Sequence, residues 1–344
     1  MISIPRLAAG ALVLTADGLT AVEGMAETEG YDGEVYVVTG MCCRDLRCTD
    51  GTQLLVRRRR RVGHEWRRVF DRPEWVGVAD LTKDCYLGMA IDGHSELPRW
   101  EGATDNRWGH GRTVNEVSGL MERGEFWYLM GRYVGDGWRR WDDTHKAVII
   151  CCADRDKDRQ PIVDNMRSLG LHFVENLERT TRRIAVNSRE LAEFVTRYGY
   201  RADGKRIDGG TLRLPVGLLR CFIDGYMDAD GYYDERMQHQ RCTTTSRHLA
   251  YGMAQCVAKA YGTAPKLYFT RRRPKVSIEG RVCNQRDQWC VHYKTDVRPQ
   301  DKAFVEDGYV WYPVNSISRE RVSGLSVCRL ASGEYTVNNA MVRV

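Results

Sequence analysis

The sequence predicts an α+β chain in which a duplicated αββαββα unit, built about a pseudo-twofold axis, interrupts an all-β domain. Three observations predict this. Two short apolar runs stand at residues 128–137 and 222–231, each with a central glycine and a terminal Asp-Gly pair. Superimposed, Gly131 falls on Gly225, Asp136 on Asp230 and Gly137 on Gly231, an offset of 230 − 136 = 94 residues. The segments after each run repeat one alternation of strand-like and helical patterns, whereas residues 1–94 and 309–344 show short strands and turns without helical periodicity.

The chain's 344 residues are enough for more than one domain. A composition of 42% hydrophobic and 28% charged residues describes a globular protein, and no apolar run approaches the ~18 residues of a membrane span. The N-terminal ten residues hold one arginine and lack the apolar core of a signal peptide. The twelve cysteines are accordingly expected as reduced thiols. Cys283, Cys290 and His292 have the chemistry of a partial zinc set, but no fourth ligand is evident, and incidental thiols are the favoured reading.

In chain order, residues 11–15, 19–22, 34–39, 53–59, 65–70 and 86–90 read as strands. Asp-Gly turns are expected at 17–18, 32–33, 50–51 and 92–93. The first apolar run reads as a helix, because Leu129, Met130, Tyr133 and Val134 fall at helical spacing. Gly137, just past its end, is expected in the left-handed conformation. Gly131 and Gly225 lack side chains, so the two helices are expected to meet backbone to backbone there.

An aspartate in the last helical turn is the anomaly. The macrodipole and the unpaired carbonyls both disfavour an anion at that end, and two such ends side by side repel. A divalent cation among Asp136, Asp230 and the carbonyls of Gly135 and Ala229 resolves the conflict. Hard oxygen donors suit Mg²⁺, with Mn²⁺ as a substitute. Downstream, both halves read as helix, two strands, helix and two strands with a trailing element. Residues 266–270 and 275–279 are expected to form a hairpin with Arg271, Arg272, Arg273 and Lys275 at its tip. Arg179, Arg182 and Arg183 hold the corresponding place in the first half.

The net charge of +6 is unevenly spread. Besides the hairpin arginines, Arg57, Arg58, Arg59, Arg60 and Arg61 form one uninterrupted run. Such patches suit a polyanionic partner, although a solvated edge strand that resists aggregation is the alternative for the five-arginine run.

The two runs resemble the paired motifs of LAGLIDADG homing endonucleases. The second, from Ile223 to Gly231, is close to the consensus, and the first, ending Gly135-Asp136-Gly137, is similar to a variant found inside inteins. The resemblance implies a site-specific double-strand DNA endonuclease over 95–308, with halves at about 122–210 and 211–308. It acts as a monomer with internal symmetry on a long asymmetric target and leaves short 3′ overhangs. Each aspartate would anchor metal at one scissile phosphate, and each half would add a basic residue. Lys205, in Asp203-Gly-Lys-Arg, fits the first half; Lys302 is preferred over Lys294 in the second. Asp224 and Asp228 are expected to be structural or solvent-facing. A protein of this kind belongs to a mobile genetic element and works wherever its target DNA lies, neither secreted nor in a membrane.

The flanking regions resemble an intein (Hint) splicing domain, divided over 1–94 and 309–344. Residues 7–18 look like its opening block, 48–56 and 75–91 like its inner strands, and 322–327 and 335–342 like its closing blocks. The departures matter more. Arg6 stands where the family has a Cys or Ser nucleophile, Thr52 where it has the assisting histidine, and Arg343-Val344 where it has His-Asn. A guanidinium is no nucleophile and valine has no amide to cyclise, so the fold is expected to persist with splicing lost. Two other readings stand beside this: a catalytically silent, sequence-specific DNA-binding protein, and an intein retaining partial splicing.

Overall fold

The computed structural model describes residues 12–15, 18–21, 25–62, 65–101, 117–278, 281–298, 301–330, 334–337 and 339–343. Two compact units emerge. One comprises residues up to His94 with Val257–Leu267 and Tyr293–Val344; the other comprises Ser95–Cys256 with Tyr268–His292.

The first unit is a large antiparallel sheet. Its strand order is Glu334–Val337, Ala340–Arg343, Gln53–Val62, Cys85–Ala90, Tyr309–Leu330, Met25–Gly40 and Leu46–Cys48. Val38, Leu54, Val56, Leu87, Val310 and Tyr312 are buried in its core. The turn expected at Asp32-Gly33 is absent: Met25–Gly40 continues through it, with a bulge in its pairing between Gly33 and Tyr31. The partner strand supplies the reason, because Glu34 and Gly33 pair with Arg321 and Val322, and a ladder outweighs the local turn preference of an Asp-Gly pair.

Two further sheets share one design; the first lies wholly in the second unit, and the second straddles the division. In the first half, Gly137–Trp141 pairs with Lys146–Ala153, which pairs with Thr181–Asn187, which pairs with Val174–Glu178. In the second half the order is Gly231–Asp234, His239–Thr244, Gln288–Tyr293, Lys266–Thr270. Each sheet therefore runs first, second, fourth, third strand after its apolar helix. Asp156–Ser168 and Arg247–Tyr261 are the corresponding helices between second and third strands.

The second half differs by one insertion, which corrects the expected hairpin. Lys275–Ile278 does not pair with Lys266–Thr270; it pairs with Arg281–Asn284 in a separate ribbon. Lys266–Thr270 is instead committed to the strand Gln288–Tyr293. The arginines at 271–273 lie on the connection between them. Gln285 N bonds Pro274 O at 2.9 Å, and Asp287 accepts from Arg272 N at 2.9 Å, which fixes that connection.

Candidate metal and nucleic-acid site

The two apolar runs form the helices Gly124–Asp136 and Val216–Asp230. Their cores meet an aromatic cluster, with Phe126 and Phe194 at 5.3 Å and Tyr198 and Phe222 stacked at 5.9 Å. The central glycines fix how closely the helices approach. A Cβ on Gly131 would overlap Phe222 O and stand 2.7 Å from Tyr226 N; one on Gly225 would overlap Tyr128 O and stand 2.8 Å from its carbonyl carbon. Backbone touches backbone, as the paired glycines predict.

The terminal glycines act differently from the expectation. Gly137 and Gly231 are extended, with φ of −108° and −107°, rather than left-handed. Each helix passes directly into a strand. A Cβ there would strike the preceding turn, 2.6 Å from Tyr133 Cα in one case and 2.6 Å from Met227 O in the other. The glycine is needed for close approach, not for a positive φ.

This geometry delivers Asp136 and Asp230 to the same end of the helix pair. Gly135 and Ala229 face each other there, and Asp230 Oδ2 lies 3.5 Å from where a Gly135 Cβ would sit. Desolvation pushes both carboxyls up, and for Asp230, to about 6, the neighbouring Asp136 adds to it. Asp136 is half-buried and Asp230 keeps an exposed edge, so the pair is open to an incoming group. Two neighbouring carboxylates, Asp136 opposing the ionisation of Asp230, beside helix-end carbonyls with no intrahelical donor, form a donor set that fits a hard divalent cation.

Lys205 belongs to this centre. It is 5% exposed, and its Nζ donates to Tyr133 O at 2.8 Å and Gly137 O at 3.0 Å. Desolvation pulls its pKa down to about 7 against the opposing pull of Asp230 and Asp136. The approach is prepared locally. Gly199, at φ +79°, lets the chain fold back onto Gly204, and Ser246 Oγ donates to Lys205 O at 2.5 Å. Lys302, by contrast, is exposed in the first unit, and Lys294 Nζ is bound to Asp301 at 2.7 Å. Neither is among the cations acting on Asp136 or Asp230.

One residue of the centre was not singled out from the sequence. Arg132 is 2% exposed, and its charge lowers the pKa of both aspartates against the desolvation. Its Nε has no hydrogen-bond partner among the described residues. The signal available was its place in the first run, where the matching residue of the second is Tyr226. Asp224 and Asp228 are exposed on the second helix, with Asp228 accepting from Tyr128 OH at 2.7 Å.

The sheets offer aromatic and basic side chains. Arg183 lies over Trp138 at 5.3 Å and pairs with Glu178 at 2.5 Å, while Arg182 pairs with Asp154 at 2.7 Å. Arg241 donates to Tyr232 OH at 3.0 Å in the second half. Arg271, Arg273 and Lys275 are exposed; Arg272 Nε is bound to Gln288 at 2.9 Å. Cys290 and His292 lie 3.0 Å apart. The side chain of Cys283 is outside the described residues, among which no three metal-binding side chains gather.

In the five-arginine run, three side chains have acidic partners. Arg57 pairs with Glu306, donates to Asp71 O at 2.8 Å, and lies 5.7, 5.5 and 5.6 Å from the rings of Phe70, Phe304 and Trp311. It is a packing residue, because cation–π and charge partners absorb it. Arg58 pairs with Glu74 at 2.9 Å and Arg60 with Asp71; Arg59 is half-buried and likewise engaged. The Arg61 side chain is outside the described residues, as are Arg6 and Val344. Thr52 is buried, and Arg343 donates to Gln53 Oε1 at 2.7 Å, one residue away from it.

Fold and site together define a class: two matched halves whose glycine-bearing helices pack backbone to backbone and present paired aspartates. Residues 218–291 match the model of a family described as a LAGLIDADG-like domain. An A-type ATP synthase subunit from Pyrococcus abyssi (strain GE5 / Orsay) is 32% identical over 88 residues, 24% of this chain and 8% of that protein. The chain therefore matches only a small part of that relative. Among solved structures, I-DmoI in complex with DNA and Ca aligns with a TM-score of 0.35 and 14% identity, over 50% of this chain and 83% of that one. Full-length DUF199/WhiA from Thermatoga maritima aligns with a TM-score of 0.31 and 8% identity, over 49% and 50%.

Proposed function

We propose that this protein is a homing endonuclease that cuts both strands of a long, asymmetric DNA target, leaving short 3′ overhangs. It would do so wherever that DNA lies, as the agent of a mobile genetic element. The observation that carries the proposal is the convergence of Asp136 and Asp230 at one end of two helices in backbone contact, within a chain whose residues 218–291 match the LAGLIDADG-like domain.

Asp136 and Asp230, with the carbonyls of Gly135 and Ala229, would hold Mg²⁺ or Mn²⁺. Bound there, the cation supplies charge to polarise the phosphodiester and offset the anion that develops on the leaving oxygen. Lys205 is suited to the proton. With its pKa near 7, Nζ is substantially neutral at physiological pH, and its two N–H groups match the two carbonyls that accept them. The lone pair is then free to take the proton of an attacking water. Water adds to phosphorus, the P–O3′ bond breaks, and the 3′ oxygen leaves. The two sheets, with Trp138, Tyr232, Arg183, Arg241, Arg271, Arg273 and Lys275 as contacts, would read the grooves.

We further propose that the all-β unit is a Hint domain that has lost splicing. Arg343 bonded beside Thr52 joins two of the substituted positions in space, so residues distant in sequence meet as splicing groups would, without their chemistry.

The test is selection of a randomised duplex library by binding without metal, followed by incubation of the selected duplexes with Mg²⁺ or Mn²⁺. Sequence-restricted double-strand cutting supports the proposal. Specific binding without cutting in either metal refutes it and leaves a DNA-binding protein.

A further inference from the structure

The two halves part company where their third and fourth strands are joined. In the first half Glu178 pairs with Thr181, so Arg179 and Thr180 alone make the turn. In the second half residues 271–287 stand between Lys266–Thr270 and Gln288–Tyr293, and the ribbon of Lys275–Ile278 with Arg281–Asn284 is built from them. Neither ribbon strand pairs with a third strand among the described residues. A two-stranded ribbon by itself is marginally stable in water, yet the root of this one is fixed. Gln285 N donates to Pro274 O at 2.9 Å, Asp287 accepts from Arg272 N, and Arg286 pairs with Asp203. The root leaves the edge strand Lys266–Thr270, three places across the sheet from Gly231–Asp234, which carries on from Asp230. At a spacing of about 4.8 Å that is about 14 Å to one side.

The register sorts the side chains. Lys275 lies opposite Asn284 and Ser277 opposite Val282, and directly opposed residues of an antiparallel pair share a face. All four are exposed, and Val282, at 73%, is the most exposed large hydrophobic side chain among the described residues. Residues 271–287 hold six basic and two acidic side chains, 6 − 2 = +4, against +6 for the whole chain. The insertion is therefore the charge complement of a polyanion.

Resting on the endonuclease reading, we propose that the ribbon enters the major groove of the target beyond the base pairs that face the two sheets. There Lys275, Ser277, Val282 and Asn284 read base edges, with Arg271 and Arg273 on the flanking phosphates. A two-stranded ribbon fits that groove, and the face has the chemistry to read it. An asparagine amide pairs with adenine through two bonds, a lysine donates to guanine, a serine bonds either, and an apolar side chain packs on the thymine methyl. The first half has only the turn at Arg179 and Thr180, so the extra segment is specified on the second half's side alone. Four strand residues span about 13 Å, or about four base pairs.

The experiment selects a randomised duplex library by binding in EDTA. It compares the parent, a chain with Gly-Gly in place of residues 275–284, and Ser277→Ala with Asn284→Ala. The selected duplexes are sequenced and footprinted with hydroxyl radicals. The parent is expected to specify and protect about four more base pairs at one end than the shortened chain. The double variant alters only exposed side chains, so it answers for any misfolding of the shortened chain. It should keep the protection and lose about tenfold of the base discrimination within it. Identical preferences and footprints in all three would overturn the proposal and leave the endonuclease reading intact, as would protection of those base pairs without any preference among them. A ribbon-dependent segment on duplexes that neither Mg²⁺ nor Mn²⁺ causes to be cut would overturn the endonuclease reading but not the role of the ribbon.

Discussion

The two halves of the second unit share a strand order and a helix geometry but not a charge distribution. Gly131 and Gly225, Asp136 and Asp230, and Gly137 and Gly231 coincide because each is demanded by a backbone contact or by the charge at a helix end. Arg132 and Tyr226 do not coincide, nor do Lys205 and any described cation of the second half. The second half also carries the ribbon Lys275–Ile278 with Arg281–Asn284, for which the first has no counterpart among the described residues. Packing of the two helices constrains few positions tightly and leaves the rest free to diverge. A duplicated fold can therefore become an asymmetric instrument without losing its symmetry axis.

The sharpest way to break the comparison is at the aspartates. Asp136→Asn and Asp230→Asn are each expected to reduce cleavage by about a thousandfold or more while leaving duplex binding in EDTA nearly unchanged; single-turnover assays check this. If the two halves act separately, each variant leaves a nick in the other strand. The same change alters stability. The Asp230 carboxyl is raised to about 6, so its favourable contribution is present below its ordinary value and lost as pH rises through about 6. In EDTA, Asp230→Asn should therefore raise the melting temperature at pH 8 but not at pH 4. The gain should be about 1 kcal/mol or less, since the carboxyl has an exposed edge.

Next come the glycines. Gly225→Val places atoms inside the Tyr128 backbone and is expected to cost about 3 kcal/mol or more. Gly217, in the first turn of the same helix, has open space around a Cβ, so Gly217→Ala should be neutral or stabilising by up to about 1 kcal/mol. Chemical denaturation followed by aromatic fluorescence separates the two outcomes. Equal losses would mean that the helices do not meet at the glycines.

The smallest effects concern the arginines. Arg271→Ala with Arg273→Ala is expected to reduce the slope of log affinity against log salt by about 0.9 for each phosphate no longer neutralised. Arg57→Ala should leave that slope alone and lower the stability of the first unit by about 1–2 kcal/mol, because it empties a site among Phe70, Phe304 and Trp311. A salt slope that responds to Arg57→Ala would restore the five-arginine run as a DNA contact.

Much of the fold was legible because its signals are local. The glycine and Asp-Gly spacing located both helices and their contact, and strand alternation located Gln53–Val62, Cys85–Ala90 and the paired strands of each half. The errors have one source. Asp32-Gly33 reads as a turn until Arg321 and Val322 arrive to pair beside it. Residues 266–270 and 275–278 read as a hairpin until Gln288–Tyr293 claims the first of them. In each case the deciding partner is remote in the chain, and nothing near the residue announces it.

Where the two helices touch and which carboxylates meet can be read from residues 128–137 and 222–231. A missing side chain in the middle of a helix and an acid at its end are constraints on the backbone, and they are written at the residue concerned. Where the charge goes depends on the folded chain. Arg132 looks like an ordinary helical arginine until burial beside Asp136 and Asp230 makes it a fixed cation. Lys205 looks like a surface lysine until Tyr133 O and Gly137 O hold it. Coulomb energies depend on distance and on exclusion of water, and neither quantity exists until the chain has folded.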